Sequence, residues 1–192
     1  MKEELQQKNN DKTFFGFWVY LMTDLLMFAA LFATYAVLRN NTFGAPSGKE
    51  LFSLPYVLIE TLILLTSSFT VGIGTIYARA KDVVKTSIFF GATFILGVVF
   101  LWMEVAEFAH LFAEGNTPQR SAFLSSYFTL VGTHGLHITS GLLWMVLIFI
   151  FILKRGMSDS SIRKLTLLGI FWHFLDIVWI FIFTIVYLLG AI

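Results

Sequence analysis

The sequence predicts an all-α integral membrane protein built as a bundle of five transmembrane helices, and three observations carry that expectation. Of 192 residues, 57% are hydrophobic and 13% charged, whereas a soluble domain carries roughly 45–50% apolar and about 25% charged residues. The mean hydropathy of +0.80 excludes a disordered chain, because disorder needs low hydrophobicity and high charge. The apolar residues also fall into five runs, each near or above the roughly 20 residues that a helix needs to cross a hydrocarbon layer about 30 Å thick. Irregular backbone in lipid would leave peptide groups unpaired, so these runs read as helices. A β-barrel would instead show alternating segments of about ten residues.

Taken in order, residues 1–13 form a polar tail without a small-residue cleavage site, so the first span is expected to be retained. A single membrane domain covers residues 14–190, with spans at about 14–38, 56–78, 86–112, 123–153 and 165–189. Asn40-Asn41-Thr42 supplies turn chemistry after the first span. Ser53 and Pro55 open the second as a cap residue and a first-turn proline. The Gly115-Asn116-Thr117-Pro118 turn separates the third from the fourth. Lys154-Arg155-Gly156 closes the fourth with cations at the negative helix end and a glycine able to take a left-handed cap.

Cations set the expected orientation. Lys2, Lys8, Lys12, Arg79, Lys81, Lys85, Lys154, Arg155, Arg163 and Lys164 make ten on one side, against Arg39, Lys49 and Arg120, three on the other. The N-terminus is therefore expected in the cytoplasm and the C-terminus in the periplasm. Trp18, Tyr20 and Tyr187 stand near span ends, where interfacial aromatics are expected. With no cysteine there is no disulfide, thiolate metal site or cysteine nucleophile, and a net charge of +1 offers no surface for nucleic acid.

A charge at mid-bilayer costs about 2.5–3.5 kcal/mol on insertion scales, so intramembrane acids and histidines are candidates for function. They are Asp24, Glu60, Glu104, Glu107, His110, His134, His137, His173 and Asp176, and they include all four histidines. Glu104/Glu107/His110, His134/His137 and His173/Asp176 are spaced by three residues, so each set is expected to form a polar stripe facing other helices. Such stripes suit either a proton or ion path or a hydrogen-bonded packing network. Glu60 has no ionisable companion on its own span. Glu107-x-x-His110 has the spacing of di-iron carboxylate bundles, but no second copy is present. The His-x-x-His and His-x-x-Asp pairs would need ligands from elsewhere to hold zinc or iron. Haem is disfavoured because the histidines lie three apart on one helix or near helix ends. Gly132 and Gly135, with Gly72, Gly74, Gly91, Gly97 and Gly141, are expected to let helices approach closely. Trp172 and Trp179, seven residues apart on one face, are expected to pack.

Thr133-His134-Gly135-Leu136-His137 and the run Phe171-Trp172-His173-Phe174-Leu175-Asp176-Ile177-Val178-Trp179-Ile180-Phe181 resemble signature segments of subunit III of haem-copper respiratory oxidases. Gly16-Phe17-Trp18, Ile59-Glu60-Thr61 with Ser67-Ser68, and Glu104-Val105-Ala106-Glu107-Phe108 agree, in the same order. Mitochondrial-type members have seven helices. Five spans, with the loop from Phe43 to Phe52, resemble instead the quinol-oxidising, cytochrome bo-type branch, in which the large catalytic subunit supplies the missing two.

The resemblance implies a non-catalytic subunit of a proton-pumping complex in the bacterial inner membrane that oxidises ubiquinol and reduces oxygen to water. It implies partnership with catalytic subunit I, with subunits II and IV, and with membrane lipids held in a cleft. It also implies that haems and copper reside in subunit I, that this chain binds none, and that subunit III supports stability and proton uptake. Glu60, His134, His137, His173 and Asp176 match intramembrane polar positions of the family. The competing reading is a small stand-alone proton or ion transporter using the intramembrane acids. Against it, the spans show no evident repeat and contain no proline beyond the first turn of the second.

Overall fold

The computed structural model describes residues 2–191, with side chains described from Asp11 onward except Arg155. Met1, Ile192, and the side chains of Lys2, Lys8 and Arg155 used in the charge count lie outside the described residues. The helices are α1 (Lys2–Leu38), α2 (Gly48–Leu51), α3 (Leu54–Arg79), α4 (Val83–Ala113), α5 (Ala122–Arg155) and α6 (Asp159–Ile182), the last running into a π-helical turn at Phe183–Leu188. Five segments are long and apolar enough to cross a membrane: Asp11–Leu38, Leu54–Arg79, Val83–Ala113, Ala122–Lys154 and Asp159–Leu188. The chain is thus an all-helical, multi-pass membrane protein.

Local chemistry sets the helix ends. Asp82 caps α4 by accepting from the Lys85 amide, and Ser121 caps α5 by accepting from the Leu124 amide. The last span begins at Asp159, six residues before the expected Leu165, because Ser158 and Ser161 cap it reciprocally. Arg163 and Lys164 therefore lie inside the helix rather than in the preceding loop. Gly156 ends α5 with φ +70°. Gly115 (φ +77°) ends α4: its amide bonds the Phe112 carbonyl, and the Asn116 amide reaches back to Leu111. This is a Schellman cap. Lys81 plays the same role after α3 with φ +59°, an uncommon conformation for a residue with a Cβ.

Helix α6 packs against α1, α3 and α5, and α3 packs along α4. The α6 side chains Trp172, Leu175, Trp179 and Ile182 are fully buried. By contrast, α1 lies at the edge, touching α5 and α6 and leaving most of its surface outward. Its far end is fastened by the π-helical turn. The widened turn bonds the Leu189 amide to the Thr184 carbonyl, and the Val186 carbonyl accepts from Tyr35 Oη at 3.3 Å.

Candidate functional site

Helical geometry sorts the intramembrane polar residues into separate groups. A three-residue step turns a helix by about 300°, so two steps drift about 120° around the axis. The expected Glu104/Glu107/His110 stripe accordingly breaks up. Glu104 is 2% exposed and Glu107 half-buried, but the His110 side chain is 72% exposed and reaches Glu114 at 3.3 Å. The expectation that His110 faces other helices is thereby corrected.

Glu60, fully buried on α3, stands close enough to Glu104 and Glu107 of α4 for their charges to interact. Neither Glu60 oxygen has a hydrogen-bond partner among the described residues, and the same holds for Glu104 Oε2. Glu107 accepts from Tyr187 Oη at 2.8 Å, and Tyr187 Oη lies 3.0 Å from Tyr127 Oη. Tyr187 is fully buried and holds this network, so it is not an interfacial residue. The Glu104 carboxylate lies over Gly135, where an added Cβ would collide with it. At Gly132 a Cβ would meet Phe108 at 3.7 Å, an ordinary contact, and Gly72 and Gly91 face open space. Of the glycines expected to permit close packing, Gly74, Gly97, Gly135 and Gly141 make close approaches.

A second group lies at mid-membrane between α1 and α5. His137 Nδ1 donates to the Thr133 carbonyl at 2.8 Å, which places a proton on that nitrogen. Its Nε2 faces Asp24 Oδ2 at 3.7 Å, with both side chains largely buried. The sequence marks Asp24 as an intramembrane acid but does not pair it, because its partner lies on a distant span. The available signal was depth: both residues stand near the middle of their helices.

His134, also fully buried, donates from Nε2 to the Leu175 carbonyl at 3.2 Å and packs its ring against Phe100 and Trp179. The spacing of three separates it from His137, which turns toward α1. A third group joins α3 to α6. His173 Nδ1 is 2.6 Å from Ser68 Oγ, and Asp176 lines the same α3–α6 groove as that serine. Asp176 is buried, whereas His173 is exposed on the outer side of α6, contrary to the expectation that both face inward.

Trp172 and Trp179 tie the same two helices. Their indole nitrogens donate to Ser67 Oγ at 2.9 Å and Thr61 Oγ1 at 3.0 Å. Between α1 and α6 opens an apolar cleft of about 650 Å³, lined by Trp18, Leu25, Phe28, Phe32, Phe174 and Phe181 among others.

Among the described residues, no three of His, Asp and Glu converge in a way that could hold a metal ion. The acids are dispersed along three helix interfaces, and Glu60 has neither oxygen hydrogen-bonded among the described residues. The arrangement therefore cross-links helices by buried hydrogen bonds and offers an apolar cleft.

The sequence agrees with known proteins over almost its whole length. The model of the family described as cytochrome c oxidase subunit III matches residues 6–191. The cytochrome bo(3) ubiquinol oxidase subunit 3 of Pseudomonas aeruginosa is 55% identical over 180 residues, covering 94% of this chain and 86% of the relative. The cytochrome c oxidase subunit 3 of Bacillus sp. strain PS3 is 43% identical over 98% of this chain and 89% of its own length. The quinol oxidase subunit 3 of Bacillus subtilis is 42% identical over 97% and 92%. With matches of this extent, the chain belongs to the cytochrome c oxidase subunit III family.

Proposed function

We propose that this chain is the non-catalytic third subunit of a proton-pumping respiratory quinol oxidase of the cytochrome bo type. One observation carries the reading: two ubiquinol oxidase subunits, at 55% and 50% identity, each align with 94% of the chain. Those two names support ubiquinol as the electron donor of the complex. The stand-alone transporter is disfavoured by the same relatives, all of them named as oxidase subunits.

In this reading the chain lies in the bacterial inner membrane beside catalytic subunit I, which carries the haems and copper, and alongside subunits II and IV. Its cation bias favours a cytoplasmic N-terminus and a periplasmic C-terminus. That orientation sets Glu60, six residues into α3, roughly 9 Å from the periplasmic end of the helix. Glu104 and Glu107 sit at the same end. We assign these acids to helix packing rather than to proton uptake from the cytoplasm. The apolar α1–α6 cleft suits phospholipid acyl chains.

The test is mild-detergent purification through a tag on this chain, with an optical spectrum and a ubiquinol oxidation assay of the eluate. A haem-bearing large subunit and quinol oxidation are expected. A colourless, homogeneous preparation that transports protons in liposomes would overturn the reading.

A further inference from the structure

Near the middle of α6 the imidazole of His173 turns outward, exposed on the face that hydrocarbon covers. Its depth follows from its partner. Nδ1 is 2.6 Å from Ser68 Oγ, and Ser68 is 14 residues from the start of α3 and 11 from its end, roughly 21 and 17 Å from the helix ends. With Nδ1 engaged, Nε2 makes no hydrogen bond to any described residue. Acyl chains neither donate nor accept hydrogen bonds, and phospholipid headgroups stay at the interface. An imidazole presented at this depth is a functional candidate, because the bilayer itself offers it no partner.

His173 and Ser68 stand in the wall of an open groove of about 490 Å³ between α3 and α6, within the roughly 300–1,000 Å³ of small-molecule sites. Asp176 aside, the remaining walls are apolar, with Phe69 and Ile76 standing 69% and 67% exposed. No atom lies within 4 Å of a Cβ built at Gly72, so a flat molecule can lie against the α3 backbone there, beside the Phe69 ring. The fitting occupant is uncharged, apolar enough to reside at mid-membrane, flat, and equipped with an oxygen that meets an imidazole nitrogen. A prenylated benzoquinone meets all four conditions.

The Ser68–His173 pair also suits both redox forms of such a molecule. With the Ser68 hydroxyl donating to Nδ1, Nε2 carries the proton and donates to a quinone carbonyl. With Nδ1 donating to Ser68, Nε2 accepts from a quinol hydroxyl. The imidazole stays neutral in both arrangements.

We propose that the α3–α6 groove binds the ring of a prenylated benzoquinone, in either redox form, with His173 Nε2 on a ring oxygen. Bound there, the molecule is a reserve of quinone beside the oxidase, and no electron transfer is assigned to the site. The proposal deepens the reading of the chain as a quinol oxidase subunit and rests on it.

The probe is an azido-ubiquinone, photolysed on the intact complex in nanodiscs, with labelled peptides identified by mass spectrometry. Saturable labelling of this chain between Leu65 and Ile76 is expected, displaced by unlabelled ubiquinone and not by added phospholipid. It should fall about tenfold or more in His173→Leu and in Gly72→Phe, whose ring fills the groove, each measured against the label on the haem-bearing subunit of the same sample. Because the Gly72→Phe side chain enters open space, that variant decides alone if His173→Leu does not assemble. Labelling that does not saturate, that phospholipid displaces, that is equal in Gly72→Phe, or that is confined to the haem-bearing subunit overturns the site and leaves the proposed function standing. Failure of the unaltered chain to bring any haem-bearing subunit overturns both.

Discussion

Trp172 fills the space in front of Gly97: a Cβ built on that glycine would come within 2.8 Å of Trp172 Cη2. The adjoining edge of the six-membered ring abuts Gly141 of α5, where a Cβ would meet Cζ3 at 3.2 Å. The indole nitrogen donates to Ser67 of α3. One side chain of α6 thus spaces three neighbouring helices. Gly97→Ala should overpack this junction and destabilise by about 1–3 kcal/mol. Trp172→Ala should cost about 3–5 kcal/mol through the cavity it leaves. Thermal melting of the purified complex checks both, and an unchanged melting temperature for Trp172→Ala would refute the role.

Gly135 and Glu104 should be energetically coupled. Gly135→Ala drives a methyl into the Glu104 carboxylate, whereas the same change beside Glu104→Ala meets no obstacle. The double variant is expected to be more stable than the sum of the single effects allows, by about 0.5–3 kcal/mol. Additivity in a double-mutant cycle would show that the carboxylate moves aside freely.

Glu60→Gln preserves volume and hydrogen-bonding capacity but removes the ionisable group. Under the packing assignment, ubiquinol oxidation and the number of protons pumped per electron should both remain at the unaltered level. A drop in pumping with oxidation intact, measured in proteoliposomes, would return Glu60 to a proton path.

Lys81 occupies a left-handed backbone position in the cap of α3, a conformation that costs a residue with a Cβ about 1–2 kcal/mol relative to glycine. Its ammonium also meets Asp159 at 3.0 Å, with both side chains well exposed, an ion pair worth about 0–1 kcal/mol. Strain outweighs the pair, so Lys81→Gly should raise stability by up to about 1 kcal/mol, readable as a higher melting temperature in detergent.

Asp82, at the start of α4, has its carboxyl held below the usual aspartate range by the Lys85 amide it accepts from, aided by the Lys85 side chain. Because the folded-state value is depressed, the cap contributes fully above the unfolded value near 4 and fades as pH falls through the folded one. Asp82→Asn, which can cap without charge, should flatten the acid limb of a stability-versus-pH curve. An identical acid limb in both proteins would rule out Asp82 as its source.

The spans were legible because hydrophobic runs of that length have one solution in lipid, and their errors lie where polar chemistry extends a helix. The Ser158–Ser161 cap moved the last span's start to Asp159 since charge clusters mark loops less faithfully than caps do. Spacing by three identified which acids and histidines share a helix region, but it could not say which way each turns. His110 rotated out to Glu114 and His137 rotated away from His134 toward Asp24. Pairings such as Asp24 with His137, or Tyr187 with Glu107, depend on helix register across the bundle, which no local pattern encodes.

The hydrogen bond from Tyr35 to Val186 spans 151 positions of the chain. At about 5–20 residues per second, the ribosome needs roughly 8–30 s between making its donor and its acceptor. Helix α1 packs chiefly against α5 and α6, the last two spans to be made, so it waits longest for its neighbours. During that interval Asp24 has no histidine to face. The first helix must therefore tolerate a solitary existence in the bilayer, and its outward apolar surface is what makes this possible.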